Sequence, residues 1–436
     1  MIRISHALIL TLLASSYMAT PAHAQDAKPA WERFGFKDDS TNKGKLRAVD
    51  PGALTTSPFH WRGFKIYARM DTEEEYNDNI YATEDDADAD FITRFKPSAT
   101  VVKDVGRHQF TVKAKGEMER YADSPDENTI DGEAQFGGVL EAYRSFVIPF
   151  NVTHGVYHTD RDKVRGTSFG ALTRKPVEYS ETTAETGFRY QPNRLGLSVM
   201  GRTGQTRYKN GETNSGAEAI YKDGDFDQTE IDARLSYATQ TSFEPYVQVK
   251  WADQNMKNRE YVAGSGFTGN DRSNKSFLAR LGSTFDYKGL VTGFLSIGRE
   301  NRTYDQSNID DASSLSFAGA VQLILNPKWK LNIDAGVSTA EDTLIKAGMK
   351  KRGFGIGLDY ELQQDLFATL GVNYNEDEFT SLVRTDETWE LGGGMRYVIS
   401  PRLSLSAEYL NRMRDSDAAD ADLDNHMVIL RLSGAL

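Results

Sequence analysis

From Phe64 onward the chain repeats one pattern: stretches of about ten residues in which apolar and polar side chains alternate, each ending in a turn or a polar segment. Trp329, Leu331, Ile333, Ala335 and Val337 alternate with Lys330, Asn332, Asp334, Gly336 and Ser338. Leu403, Leu405, Ala407 and Tyr409 stand against Ser404, Ser406 and Glu408, and Leu195, Leu197 and Val199 against Gly196 and Ser198. Val247, Val249 and Trp251 face away from Gln248 and Lys250; Trp389, Leu391, Gly393, Met395 and Tyr397 face away from Glu390, Gly392, Gly394 and Arg396. Successive side chains of a strand point to opposite faces, so each stretch reads as a strand with one apolar face and one wet face.

Short turn signals fall at residues 104–107, 144–145, 191–193, 239–242, 288–289, 326–328, 363–365 and 400–402. Between consecutive turns lie a strand, a longer polar segment and a second strand. Eight such turns join nine hairpins and predict eighteen strands, with sixteen as the lower count. Short turns at one end and long loops at the other are the build of an outer-membrane barrel, with the short turns periplasmic. The expected fold is therefore all-β: a transmembrane, antiparallel, up-and-down barrel over residues 61–436. A secreted β-sandwich or propeller would also alternate. Against it stand Tyr67, Tyr208, Trp251, Tyr287, Trp329, Tyr374, Trp389, Tyr397 and Tyr409, which fall mostly near strand ends, where interfacial girdles belong.

The N-terminus fits the same compartment. Arg3, the apolar run 7–14 and the small residues Ala22 and Ala24 make a cleavable export signal over residues 1–24, with the mature chain starting at Gln25. The apolar run is far shorter than the roughly 20 residues of a membrane-spanning helix, and no later run comes close to that length. Residues 25–60, with Lys28, Pro29, Asp38, Asp39 and Ser40, read as a polar periplasmic leader carrying Trp31, Phe34 and Phe36 as anchors.

The mean hydropathy of −0.54 looks soluble, but a barrel that shows lipid only every second strand residue looks the same. The net charge of −12, or −13 once Arg3 leaves with the signal, argues against nucleic-acid binding. No cysteine is present, so the fold needs no disulfide and carries no lipidated Cys.

The first strand holds Arg62, Gly63, Phe64, Lys65, Ile66, Tyr67 and Ala68, followed by Glu75, Tyr76, Asn77, Asp78, Asn79, Ile80, Tyr81, Ala82 and Thr83. This stretch resembles the putative β-barrel porin 2 family of outer-membrane proteins, and the strand rhythm extends the resemblance over residues 60–436. Many members of that family lie in capsular or exopolysaccharide export systems. The resemblance implies an outer-membrane channel, or channel partner, for a polysaccharide, with a periplasmic exporter as a further partner. The C-terminal Leu436 departs from the aromatic residue common at barrel ends.

Residue by residue, the chemistry is sparse. Asn77, Asp78 and Asn79 bond readily to their own backbone and so suit the end of a strand; alternatively, with Tyr76 and Tyr81, they line the outer mouth and meet sugar hydroxyls. Glu84, Asp85, Asp86, Asp88 and Asp90, and Asp415, Asp417, Asp420, Asp422 and Asp424, are expected in acidic extracellular loops. These form a solvated rim or bridge divalent ions to lipopolysaccharide. Phe91 and Ile92 stand where a calcium loop would need glycine. His154 and His158 share a strand face about 13 Å apart, too far to bind one metal. No catalytic constellation, metal site or cofactor motif emerges, so the expectation is a non-enzymatic channel for polysaccharide export. The alternatives are a general or sugar-selective diffusion porin and a structural or adhesive barrel. Gly371, Gly392 and Gly394 on the wet face favour an open lumen.

Overall fold

The computed structural model describes residues 58–159, 161, 173–239, 242–342, 345–380, 382–419 and 421–436. The expected signal sequence, its cleavage site and residues 25–57 of the leader lie outside these. The first six barrel strands are β1 (Phe64–Asn77), β2 (Asp90–Val105), β3 (His108–Tyr121), β4 (Thr129–Tyr143), β5 (Phe146–His158) and β6 (Glu178–Tyr190). The next six are β7 (Leu195–Tyr208), β8 (Phe226–Tyr237), β9 (Phe243–Met256), β10 (Asn274–Tyr287), β11 (Val291–Tyr304) and β12 (Ala312–Asn326). The last six are β13 (Trp329–Asp342), β14 (Ala347–Gln363), β15 (Leu366–Phe379), β16 (Thr385–Ser400), β17 (Leu403–Ser416) and β18 (Leu423–Ala435).

Each strand pairs antiparallel with the next, and β18 pairs with β1 from Ala435 against Arg69 to Met427 against Asn77. Closure of the eighteen strands removes every long free edge, the condition for a sheet to sit in lipid. A short strand, Phe59–Trp61, folds back on the start of β1. The eight expected turns all fall between paired strands at the end that also holds the C-terminus, with residues 240–241 of one of them outside the described residues. At one of them Lys288 and Gly289 both adopt positive φ, 55° and 70°, the geometry of a two-residue hairpin turn.

Burial runs opposite to that of a soluble protein. Leu281 is 63% exposed and Leu370 61%, whereas Glu75 and Asn332 are 2% exposed and Ser316 0%. The apolar faces form an outer belt that lipid covers, and the polar faces line the inside; a soluble sandwich would bury the leucines. Outward aromatics cluster as a girdle requires: Trp329 stacks on Tyr360 at 4.0 Å, and Tyr374 lies 4.8 Å from Trp389. Two residues expected in the girdle face inward instead. Tyr67 is paired with Thr100 and shares the inner face with Arg69 and Glu73, and Tyr208 is buried beside Tyr179. Both lie near a strand end, but alternation along the strand puts them on the inner face: Tyr208 has the parity of Gly196 and Ser198, and Tyr67 that of Glu73.

Candidate functional site

The lumen has two unlike walls. On β17, β18 and β1 to β3, inward side chains at neighbouring register positions form a continuous ion-pair ladder. Arg431 reaches Glu408 at 3.3 Å and Glu73 at 2.6 Å; Lys96 reaches Glu73 at 3.1 Å and Glu117 at 2.8 Å; Arg94 reaches Glu119 at 2.5 Å and also pairs with Glu75. Arg412 and Glu390 add a neighbouring pair at 2.9 Å. Cross-strand register makes the ladder: Glu73 is directly opposite both Arg431 and Arg94, and Arg94 is opposite Glu119. On the other wall, Arg189, Arg234 and Arg280 occupy one row of β6, β8 and β10, separated by Ser198 of β7 and Gln248 of β9.

Inward-folded loops narrow the long-loop mouth. The β12–β13 ladder stops at Phe317 against Val337, while β13–β14 pairing continues to Asp342 against Ala347. The top of that hairpin therefore leaves the wall and leans over the lumen. The Thr339 N–H, released from β12, donates instead to Glu300 of β11 at 3.0 Å. Glu341 accepts from Arg272 Nε and from Tyr304 Oη, each at 2.5 Å, and Ala347, Met349 and Phe379 form a small buried core. Lys346, at φ 59°, pairs with Asp223 of the β7–β8 loop, joining loops whose strands lie six apart around the barrel. Arg161, Glu127 and Tyr81 form a second cluster. Arg161 Nε donates to Glu127 at 2.6 Å, and its guanidinium lies 5.9 Å from the Tyr81 ring centre.

Burial tunes several groups at the mouth. It raises the pKa of the Tyr81 phenol, reinforced by the negative Glu127, and it raises that of Tyr221. It also pushes the Asp225 carboxyl above its ordinary range, although that carboxylate accepts the Tyr208 N–H at 2.6 Å. Burial opposes the charge of Arg272, but the Glu341 carboxylate and, beside it, Tyr304 and Glu260 together outweigh burial and hold the guanidinium above its usual value.

The five residues expected at a sugar-contacting mouth are not gathered there. Tyr76 lies on the outer face, 5.2 Å from Phe91. Asn77 supports the Asn79 N–H at 2.9 Å; Asn79 in turn donates to the Thr83 carbonyl at 2.7 Å and to Asp424 O at 3.2 Å. Asp78 accepts the His426 N–H at 2.7 Å. This trio fastens the β1–β2 loop to β18, where the barrel closes. Of the five, Tyr81 joins the Arg161–Glu127 cluster and Asn77 donates to Glu75 of the ladder at 3.2 Å.

The acidic set divides. Glu84, Asp85, Asp86 and Asp88 are exposed in the β1–β2 loop, and Asp417 and Asp422 lie between β17 and β18. Asp90 departs from the loop reading: it opens β2, is 2% exposed and accepts the N–H groups of Phe91, Ala122, Asp123 and Ser124. Asp415 and Asp424 belong to strand ends, because β17 and β18 run further than the polarity of their tips suggested. Asp420 lies outside the described residues. His154 contacts Thr182 at 2.8 Å and His158 contacts Asp131 at 2.6 Å. The ladder and the arginine row were not singled out from sequence. Their residues were visible as charges at inward parity, but the register that brings them together was not.

A closed barrel with a lipid-facing apolar belt and a charged, polar lumen defines an outer-membrane protein of the porin class. The chain belongs to the putative β-barrel porin 2 family, whose model matches residues 62–435. Comparison with curated proteins returns no match. Among solved structures, the copper transporter OprC is similar over 87% of this chain and 81% of its own, with a TM-score of 0.51 at 8% identity, which shows a shared fold. A BenF-like porin from Pseudomonas fluorescens Pf-5 is similar over 85% and 99% of the two chains, with a TM-score of 0.46 at 11% identity. The outer membrane protein OpdK from Pseudomonas aeruginosa gives 85% and 99%, 0.45 and 11%. The protein is thus a β-barrel of the bacterial outer membrane.

Proposed function

We propose that the barrel is a passage for hydroxyl-rich solutes and takes part in export of a surface polysaccharide, with no catalytic step of its own. The observation that carries this reading is the ladder wall: its charges are bound to one another and not held out singly. Such a wall exchanges hydrogen bonds with sugar hydroxyls without a strong isolated charge to trap them. Family membership favours a polymer over a nutrient as the cargo, by analogy. In this reading a periplasmic exporter delivers the chain to the short-turn end.

A second reading, a sugar-selective diffusion porin, is favoured by the narrowed mouth, where Lys346 and Asp223 pair between loops from strands six apart. A clean deletion separates the two. The export reading expects surface and released polysaccharide to fall with small-sugar uptake unchanged. Unaltered polymer with slower sugar uptake would transfer the case to the diffusion porin.

A further inference from the structure

We infer that the arginine row is a binding site for a carboxylate carried by the solute, which deepens the passage reading and rests on it. The row runs across seven strands at one register level: Arg189, Ser198, Arg234, Gln248, Arg280, Gly298 and Ser316. Arginines on alternate strands stand about 10 Å apart, twice the strand spacing. Repeated cations at that interval offer a carboxylate successive positions along the wall.

The side chains lie along the wall because small residues make room. The Arg234 guanidinium lies 3.6 Å from the Tyr246 ring centre, and a β-carbon on Gly282 would overlap that ring. The Arg280 stem crosses Gly298, where a β-carbon would stand 2.7 Å from its Cγ, and its Nε donates to Ser316 Oγ at 3.0 Å. Larger residues at these glycines would push the cations off the wall and into the lumen.

Nearby carboxylates have partners of their own. Gln248 donates to Asp232 at 2.6 Å, Lys250 pairs with Glu230 at 3.1 Å, and Glu300 accepts the Thr339 N–H. Glu244 is within electrostatic reach of Arg189 and Arg234. Even so, the buried Arg234 Nη2 has no hydrogen-bond acceptor among the described residues, so no protein carboxylate is bound to it. That nitrogen is enclosed in the wall, so a carboxylate meets instead the part of the Arg234 side chain left at the lumen surface, where a charge-assisted bond to the guanidinium can form. Arg234 is half-buried, so part of its side chain remains at the lumen surface.

The opposite wall supports the same direction. β1 lies nine strands from β10, so the ladder faces Arg280 across the lumen. At their usual charges, the ladder's Glu73, Glu75, Glu117, Glu119 and Glu408 outnumber Arg94, Lys96 and Arg431 by two. An anion in transit therefore gains nothing at the ladder, and its attraction to the opposite wall rests on direct contact with the row's guanidiniums.

The test is calorimetry on the detergent-folded barrel with glucuronate, glucose and an oligogalacturonate, with heat-modifiable gel mobility confirming the fold of each variant. Glucuronate is expected to bind and glucose not to, with affinity falling as salt rises. Arg234→Gln should weaken binding by about tenfold or more. Gly282→Ala, which removes no charge, should also weaken it by displacing Tyr246 from beneath Arg234. An oligomer that binds more tightly than the monomer identifies a polymeric source; equal affinity identifies free sugar acids. Glucuronate binding no better than glucose, or unchanged in Arg234→Gln, overturns the site. Conductance in potassium chloride judges the passage separately: a barrel that conducts but ignores glucuronate refutes only the row, and one that binds glucuronate without conducting refutes only the passage.

Discussion

The two lumen walls use arginine in opposite ways. On the ladder wall, Arg94 is held by Glu75 and Glu119, with side chains 2% and 20% exposed, so its charge is neutralised where it stands. On the row wall, Arg234 lies against a tyrosine ring and keeps an N–H without an acceptor. The first arrangement consumes charge to hold strands in register; the second leaves charge for something else. Within one barrel, the same residue type is structural or available depending on what stands opposite it across the strands.

The largest effect that would break this comparison is on stability. Arg94→Leu strands the buried Glu75 and should cost about 3–5 kcal/mol in urea unfolding of the refolded barrel, the usual range for removing one partner of a buried pair. Arg234→Leu removes a cation whose Nη2 lacks an acceptor, and should change stability by less than about 1 kcal/mol. Equal losses in the two variants would erase the distinction between the walls.

A middle-sized effect concerns the bridge across the mouth above the row wall. Lys346→Met removes the partner of Asp223, whose side chain is 2% exposed, while leaving its bond from the Tyr261 N–H at 3.0 Å. A stability loss of about 1–2 kcal/mol is expected, below the full buried-pair cost because Lys346 keeps some solvent contact. Single-channel conductance should rise as the β13–β14 hairpin loosens. Unaltered conductance would mean that this pair does not limit the mouth.

The smallest effect sharpens the account of the β7–β8 loop. Burial raises the Asp225 pKa, so the folded protein holds that proton to higher pH than the unfolded chain does. Its contribution to stability therefore falls as pH rises from the ordinary carboxylate range through the raised folded value, and is constant above it. Asp225→Asn keeps an acceptor oxygen for Tyr208 and removes the titration. It should match the parent in acid and exceed it by less than about 1 kcal/mol at neutral pH. An advantage that instead grew toward low pH would reverse the sign of the argument.

Much of this protein is fixed by local rules. Alternation assigns an inner and an outer face to most strand residues, since a side chain's direction depends only on its neighbours along the chain. Turn chemistry at sites such as Lys288 and Gly289 then counts the hairpins, and the apolar faces require lipid outside. Only the tertiary structure decided which inward residues meet. Glu73 touches Arg431 although the two are 358 residues apart, because closure sets β1 against β18 in one register. A shift of one residue in that pairing would turn a strand's side chains to the other face, so the contacts depend on the register that closure sets. The inward lean of the β13–β14 hairpin is equally non-local: it depends on where β12 stops pairing and on Glu300 and Arg272 being within reach. Alternation gives each residue a face, but sites in a barrel are made between strands.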